Sequence, residues 1–301
     1  MDKPLEHTLD RALRGDQNIL SGFGFERMTT VTPEIVPGTC AWEEKLTVRA
    51  DGHVSLFTRR SITEASSEII GHFESSQDKD ALLDLIRLVK ESPFDRQPRV
   101  RIDPGDVSVR LRFVIGGAWY EHYTSPKDPR AMDAIGPLLQ ELDRLGAEAR
   151  HRPVMALELR LEMPDEVKPG ENMLPVNLTF ANPGREGFWV THPGSLDAAQ
   201  PSEHCRLLYG RQPEIEENIT PLPMEIVTAD LKRTKKDDPP LIWIPAEAEV
   251  RYQFVAKLNL RDPGTYLARA AFSSYSGEDI VGGQPRLRGC VFSNEVRIRV
   301  F

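Results

Sequence analysis

Val250-Arg251-Tyr252-Gln253-Phe254-Val255-Ala256-Lys257-Leu258-Asn259-Leu260-Arg261 is the longest regular alternation in the chain. Its even-numbered residues are apolar and most of the odd-numbered ones polar, the period of a strand with one buried face. Asp262-Pro263-Gly264 then turns the chain, and Tyr266, Ala268, Ala270 and Phe272 resume the same phase. The chain closes on Val296, Ile298 and Val300, with Arg297 and Arg299 between them. Upstream, Leu157, Leu159, Leu161 and Met163 alternate with charged residues, and Pro169-Gly170 separates them from Leu174, Val176, Leu178 and Phe180. Gly187-Phe188-Trp189-Val190 reads as a further strand. Repeated short strands, turn residues between them and no strong helical pattern predict an all-β second half.

These residues resemble bacterial immunoglobulin-like β-sandwich domains. Tyr266 stands where such domains carry a corner tyrosine whose hydroxyl returns to nearby backbone, and Trp189 where they place a core tryptophan. The pattern departs from antibody domains in lacking the two core cysteines, with Ala268 at the second position.

The first half mixes periods. Leu5, Leu9, Ala12 and Leu13 make a short helix expected at the periphery, ended by Gly15-Asp16. Leu46, Val48 and Ala50, the pair Asp51-Gly52, and Val54, Leu56 and Thr58 predict a hairpin whose two turn residues both take positive φ. Leu82, Leu83, Ile86 and Val89 recur at helical spacing, with Ser76 or Asp78 to cap the start. Val107 to Phe113, Gly116-Gly117 and Ala118 to Tyr123 predict a second hairpin, and Met132, Ile135, Leu138, Leu139, Leu142 and Leu145 a last helix. The layout resembles small α+β modules of uncharacterised bacterial proteins. The expected fold is therefore an α+β N-terminal domain over 1–152, an antiparallel sheet with helices, followed by an all-β immunoglobulin-like sandwich over 153–301.

Charge narrows the partners. Residues 1–152 hold 21 Lys and Arg against 25 Asp and Glu, and residues 153–301 hold 17 against 21. Neither half offers the concentrated positive charge that neutralises phosphates, so nucleic acid is not an expected partner. No run is long and apolar enough to span a bilayer and none near Met1 resembles an export signal, so the expected location is the cytoplasm, with no membrane partner. Cys40, Cys205 and Cys290 lack metal-type spacing and read as reduced thiols, with a Cys205–Cys290 bridge as the other option.

No phosphate loop, nucleophile elbow, zincin helix or paired Cys-x-x-Cys occurs, and no cofactor is expected. His192, Glu203, His204 and Cys205 carry zinc-type ligand atoms, but adjacent His204 and Cys205 point apart on a strand, so no metal is assigned. Asp103, Asp106 and Asp128 read as turn residues. Trp119, Tyr120, His122 and Tyr123 form an aromatic contact patch, and alternation separates His122 from Glu121, which disfavours an acid–base pair. Two long interruptions, Pro193 to Gln212 and Thr228 to Pro240, read as binding loops presenting His192, His204, Lys232, Arg233, Lys235 and Lys236. The expected function is a non-catalytic intracellular protein that binds another protein, of the inhibitor or toxin-immunity kind. The competing reading is an enzyme or metal-dependent hydrolase with a site around Tyr120, His122, His151 and His192 at the domain junction.

Overall fold

The computed structural model describes residues 3–31, 43–59, 69–92, 107–125, 129–196, 203–212, 227–232, 240–274 and 278–301. By contact, the chain divides into unit 1, Met1–Thr58 with Gly71–Val154, and unit 2, Arg59–Ile70 with Met155–Phe301.

Unit 1 runs α1 (Lys3–Leu13), α2 (Gln17–Leu20), β1 (Gly24–Val31), β2 (Glu43–Arg49), β3 (His53–Thr58), β4 (Ile69–Ser76), α3 (Lys79–Glu91), β5 (Val107–Ile115), β6 (Ala118–Thr124) and α4 (Pro129–Arg150). Its strands lie in the order β6-β5-β1-β2-β3-β4, all antiparallel where their registers are defined. Phe25, Val48, Leu56, Phe73, Leu111 and Phe113 face inward, beneath the apolar sides of the helices. Helix α1 is not peripheral: Leu5, Leu9 and Ala12 are fully buried. Asp78 caps α3 by accepting from the Ala81 amide at 2.8 Å.

Gly52 takes φ 81° while Asp51 does not enter the left-handed region, because the strands pair only up to Val48 and Val54 and the turn is longer than two residues. A Cβ on Gly52 would lie 2.2 Å from the Gln77 carbonyl oxygen, so the position excludes any side chain as well as favouring glycine's backbone.

Unit 2 runs β7 (Pro153–Glu162), β8 (Glu166–Val167), β9 (Gly170–Asn182), β10 (Phe188–Thr191), a 3-10 turn (Pro193–Ser195), β11 (Glu203–Arg211), β12 (Val227–Lys232), β13 (Leu241–Ile244), β14 (Ala248–Leu260), β15 (Gly264–Ser274), β16 (Ile280–Val281), β17 (Gln284–Pro285) and β18 (Gly289–Val300). The opening alternation is β14, paired along its whole length with β9. Phe254, Ala256, Leu258 and Leu260 are buried, while Val250 and Tyr252 pack against the core from partly buried positions. The ladder β7-β9-β14-β12-β11-β15-β18 returns to β7 through a parallel bridge, Ser293 opposite Leu159. Apolar side chains from β7, β9, β11, β14, β15 and β18 share one core, led by Leu159, Leu178, Phe180, Leu207, Phe272 and Ile298.

The expected fold class is corrected by the strand ladders. The protein is mostly β with few helices, and its hydrogen-bonded strands connect as one mixed sheet of 14, in the order β6-β5-β1-β2-β3-β4-β7-β9-β14-β12-β11-β15-β18-β8. That is not an α+β domain followed by a separate immunoglobulin-like sandwich. Alternation along a strand specifies which face is buried, but leaves open which strand lies on either side, and pairing decides the architecture.

Three local expectations also change. Residues 193–212, expected as a loop, contain β11, whose Cys205, Leu207 and Tyr209 are buried on one face. The second expected loop begins with β12. Trp189 is only partly buried and lies on the β10–β13 ribbon, edge-on to Trp243 at 5.4 Å. Tyr266 is buried and its hydroxyl donates to the Asp262 carbonyl at 3.2 Å.

Candidate functional site

The Gly116-Gly117 turn builds the candidate site. Both residues have positive φ, 56° and 79°, so a two-residue turn of mirror type joins Ile115 directly to its partner Ala118. From that start, alternation sends Tyr120, His122 and Thr124 toward the core and Trp119, Glu121 and Tyr123 to the opposite face. Tyr120 stacks on Phe113 with centroids 5.0 Å apart. His122 is 5% exposed, and burial holds its imidazole below the ordinary value.

The outward residues are different in kind. Trp119 is 61% exposed and Tyr123 44%, two of the few large apolar side chains left open to solvent among the described residues. The guanidinium of Arg112 lies 5.3 Å from the centre of the Trp119 ring, a cation–π arrangement. Arg110, next along the same face, meets Glu26 at 3.0 Å and Glu121 at 3.5 Å and bonds Tyr123. Glu26 also pairs with Lys45 at 2.7 Å. Burial pushes the Glu26 carboxyl up, but Lys45 and Arg110 outweigh it and hold it below the usual range. The result is a polar lattice across β6, β5, β1 and β2, with two aromatic side chains standing out of it.

Farther along the same face, Ser55 Oγ lies 2.9 Å from His72 Nε2, and Glu74 Oε1 lies 3.6 Å from that same nitrogen and 3.7 Å from His53 Nε2. A serine, a histidine and a carboxylate together invite comparison with a hydrolytic triad. The geometry differs: a triad sets its carboxylate on the other ring nitrogen, where it fixes the tautomer, whereas Ser55 and Glu74 share Nε2.

On the inner face, Arg27 bonds Glu44 at 2.7 Å and contacts Asp143, while Arg150 contacts Glu44 from the end of α4. Glu44 is 4% exposed. This network ties α4 to the sheet and escaped sequence reading, because Arg27 and Glu44 occupy core-facing positions of β1 and β2 that a hydrophobic pattern does not mark.

The other expected residues lie elsewhere. His192 belongs to unit 2, where its Nδ1 accepts from the Gly194 amide at 3.0 Å and its ring packs edge-on to Tyr252; it caps the 3-10 turn. His122 and His151 belong to unit 1. His204 lies on β11 and Lys232 ends β12, with the side chains of both outside the described residues. Arg233, Lys235, Lys236, Asp103, Asp106, Asp128 and Cys40 also lie outside them. Cys205 and Cys290 are free and buried, which corrects the bridged option, and burial pushes the Cys205 thiol up to about 12. A thiol held protonated is a poor zinc ligand. Among the described residues, no group of three His, Cys, Asp or Glu side chains is placed to hold a metal ion.

Of the expected contact residues, the structure therefore places Trp119 and Tyr123 on one open face and turns Tyr120 and His122 away from it. Sequence reading missed Arg110, Arg112 and Glu26 as their companions. The signal was present in the two-residue glycine turn, which sets Trp119 opposite Val114 and Tyr123 opposite Arg110. No protein-family model matches the chain, and a search of curated proteins finds no match. No helix among the described residues is long and apolar enough to cross a membrane.

Proposed function

We propose that this is a non-catalytic cytoplasmic protein that binds another protein through the open face of the unit 1 sheet. One observation carries the reading: exposed Trp119 and Tyr123 stand among arginines already oriented by Glu26, Glu121 and the indole ring. Tryptophan, tyrosine and arginine dominate the energetic centres of protein interfaces: the two aromatics bury a large area at small cost in side-chain entropy, and arginine adds charge-assisted hydrogen bonds. Side chains fixed before binding lose less freedom on association. An inhibitor or toxin-immunity role fits this arrangement, since both act by occupying a partner's surface. The even distribution of acidic and basic residues supports a protein partner over nucleic acid. Buried free thiols at Cys205 and Cys290 fit a reducing compartment.

The test is differential capture from the source cell with tagged full-length protein, wild type against a Trp119→Ala/Tyr123→Ala double variant of unchanged circular dichroism. A partner retained by wild type and lost by the variant supports the reading. Identical captured sets sink it.

A further inference from the structure

The same hairpin that orients Trp119 also determines the direction of the backbone of β6. In a two-residue hairpin the residues flanking the turn form a hydrogen-bonded pair, and such pairs recur at every second position. Ile115–Ala118, Phe113–Tyr120, Leu111–His122 and Val109–Thr124 therefore exchange hydrogen bonds within the hairpin. The N–H and C=O groups of Trp119, Glu121 and Tyr123 point the other way, toward the side of β6 away from β5. Among the described residues no strand pairs on that side. The residues whose side chains stand on the open face are thus the ones that offer backbone donors and acceptors at the edge.

Exposed edges are ordinarily blunted by proline, lysine, a bulge or a covering element. Strand β6 contains neither proline nor lysine, and its register against β5 is unbroken from Ala118 to Thr124. Charge indicates what it takes. Arg112 is exposed, lies over Trp119 and pairs with no carboxylate among the described residues, unlike Arg110 beside it. An added strand would lay alternate side chains along Trp119 and Tyr123, bringing a carboxylate at one of those positions toward Arg112.

Resting on the protein-binding reading above, we infer that β6 receives an extended acidic segment of the partner protein by strand addition. Backbone hydrogen bonds from Trp119, Glu121 and Tyr123 supply the register, and the Arg112–Trp119 pair selects the acidic side chain.

The probe is a fluorescein-labelled synthetic peptide alternating Glu and Val, compared with the same peptide carrying Lys for Glu, titrated against full-length protein by anisotropy. The acidic peptide is expected to bind at least about tenfold more tightly, and Arg112→Glu to remove that preference. Glu121→Pro deletes an edge-facing N–H where β5 receives none, and is expected to weaken binding by about tenfold. A peptide N-methylated at alternate residues tests the same bonds without altering the protein. Equal binding of the two peptides, no binding of either, or binding indifferent to both Glu121→Pro and N-methylation overturns the inference. Those outcomes leave the broader reading standing wherever partner capture still depends on Trp119 and Tyr123. Peptide binding alongside identical captured sets sinks the broader reading and, with it, the assignment of the β6 edge to a partner protein.

Discussion

His122 lies on the buried side of β6, and burial lowers its pKa from the ordinary 6.5 because the charged ring loses hydration there. The unfolded chain therefore takes up this proton at higher pH than the folded one. Its contribution to stability is intact above the ordinary value and is lost as pH falls through the lowered one. Urea unfolding midpoints should drop between about pH 7 and about pH 5, and His122→Gln should flatten that dependence. An unchanged slope in the variant would assign the pH response to other groups. Asn182 is a second single-residue determinant. It is 1% exposed, and its amide accepts from the Ala156 and Gly184 amides and donates to the Glu186 and Pro245 carbonyls. All four bonds organise the exit from β9. Asn182→Ala should cost about 2 kcal/mol or more, read from the urea midpoint, since buried backbone groups lose their partners. A change within about 0.5 kcal/mol would mean that water replaces the amide.

Elements show where local sequence was sufficient. The β2–β3 turn and the start of α3 were both legible, because their signals lie within a few residues: a glycine in the turn and an aspartate at the cap. Even so, Gly52 is required for a reason no turn rule contains, the approach of Gln77, whose amide donates to the Gly52 carbonyl at 2.8 Å. Gly52→Ala is expected to destabilise by about 1–3 kcal/mol, combining an unfavourable positive φ with that collision. Asp78→Ala, which removes only the cap, should cost about 1 kcal/mol. Thermal melts of the two variants rank these effects, and equal losses would show that the collision is relieved. Strands β1 and β11 were missed for opposite reasons. In β1 the buried side carries Arg27 and Thr29, so the pattern reads as polar where it is inside. In β11 the alternation of Cys205, Leu207 and Tyr209 is plain, but it sits between segments rich in turn residues.

At the scale of the molecule, closure of the unit 2 ladder rests on a small irregularity. Between Arg269 and Ala271 the pairing of β15 with β18 shifts, leaving Ser293 and Asn294 together opposite Ala270. The freed Asn294 amide accepts from the Leu161 N–H at 2.8 Å and donates to the Leu161 carbonyl at 3.2 Å, standing in for a backbone pair where β18 meets β7. Asn294→Ala should therefore lower unfolding stability by about 1–2 kcal/mol and speed hydrogen exchange at the Leu161 amide. Protection that survives the substitution would place the closure elsewhere. The amino-acid sequence by itself determined the strands of β14, β15 and β18, their buried faces, the glycine hairpin and the separation of His122 from Trp119, because alternation and turn chemistry act between near neighbours. It left open the single mixed sheet, the Arg27–Glu44 network and the place of β6 as the end strand among the described residues. Each of those depends on which distant strand or helix lies alongside, and a strand's own side-chain pattern is the same whichever neighbour its backbone bonds.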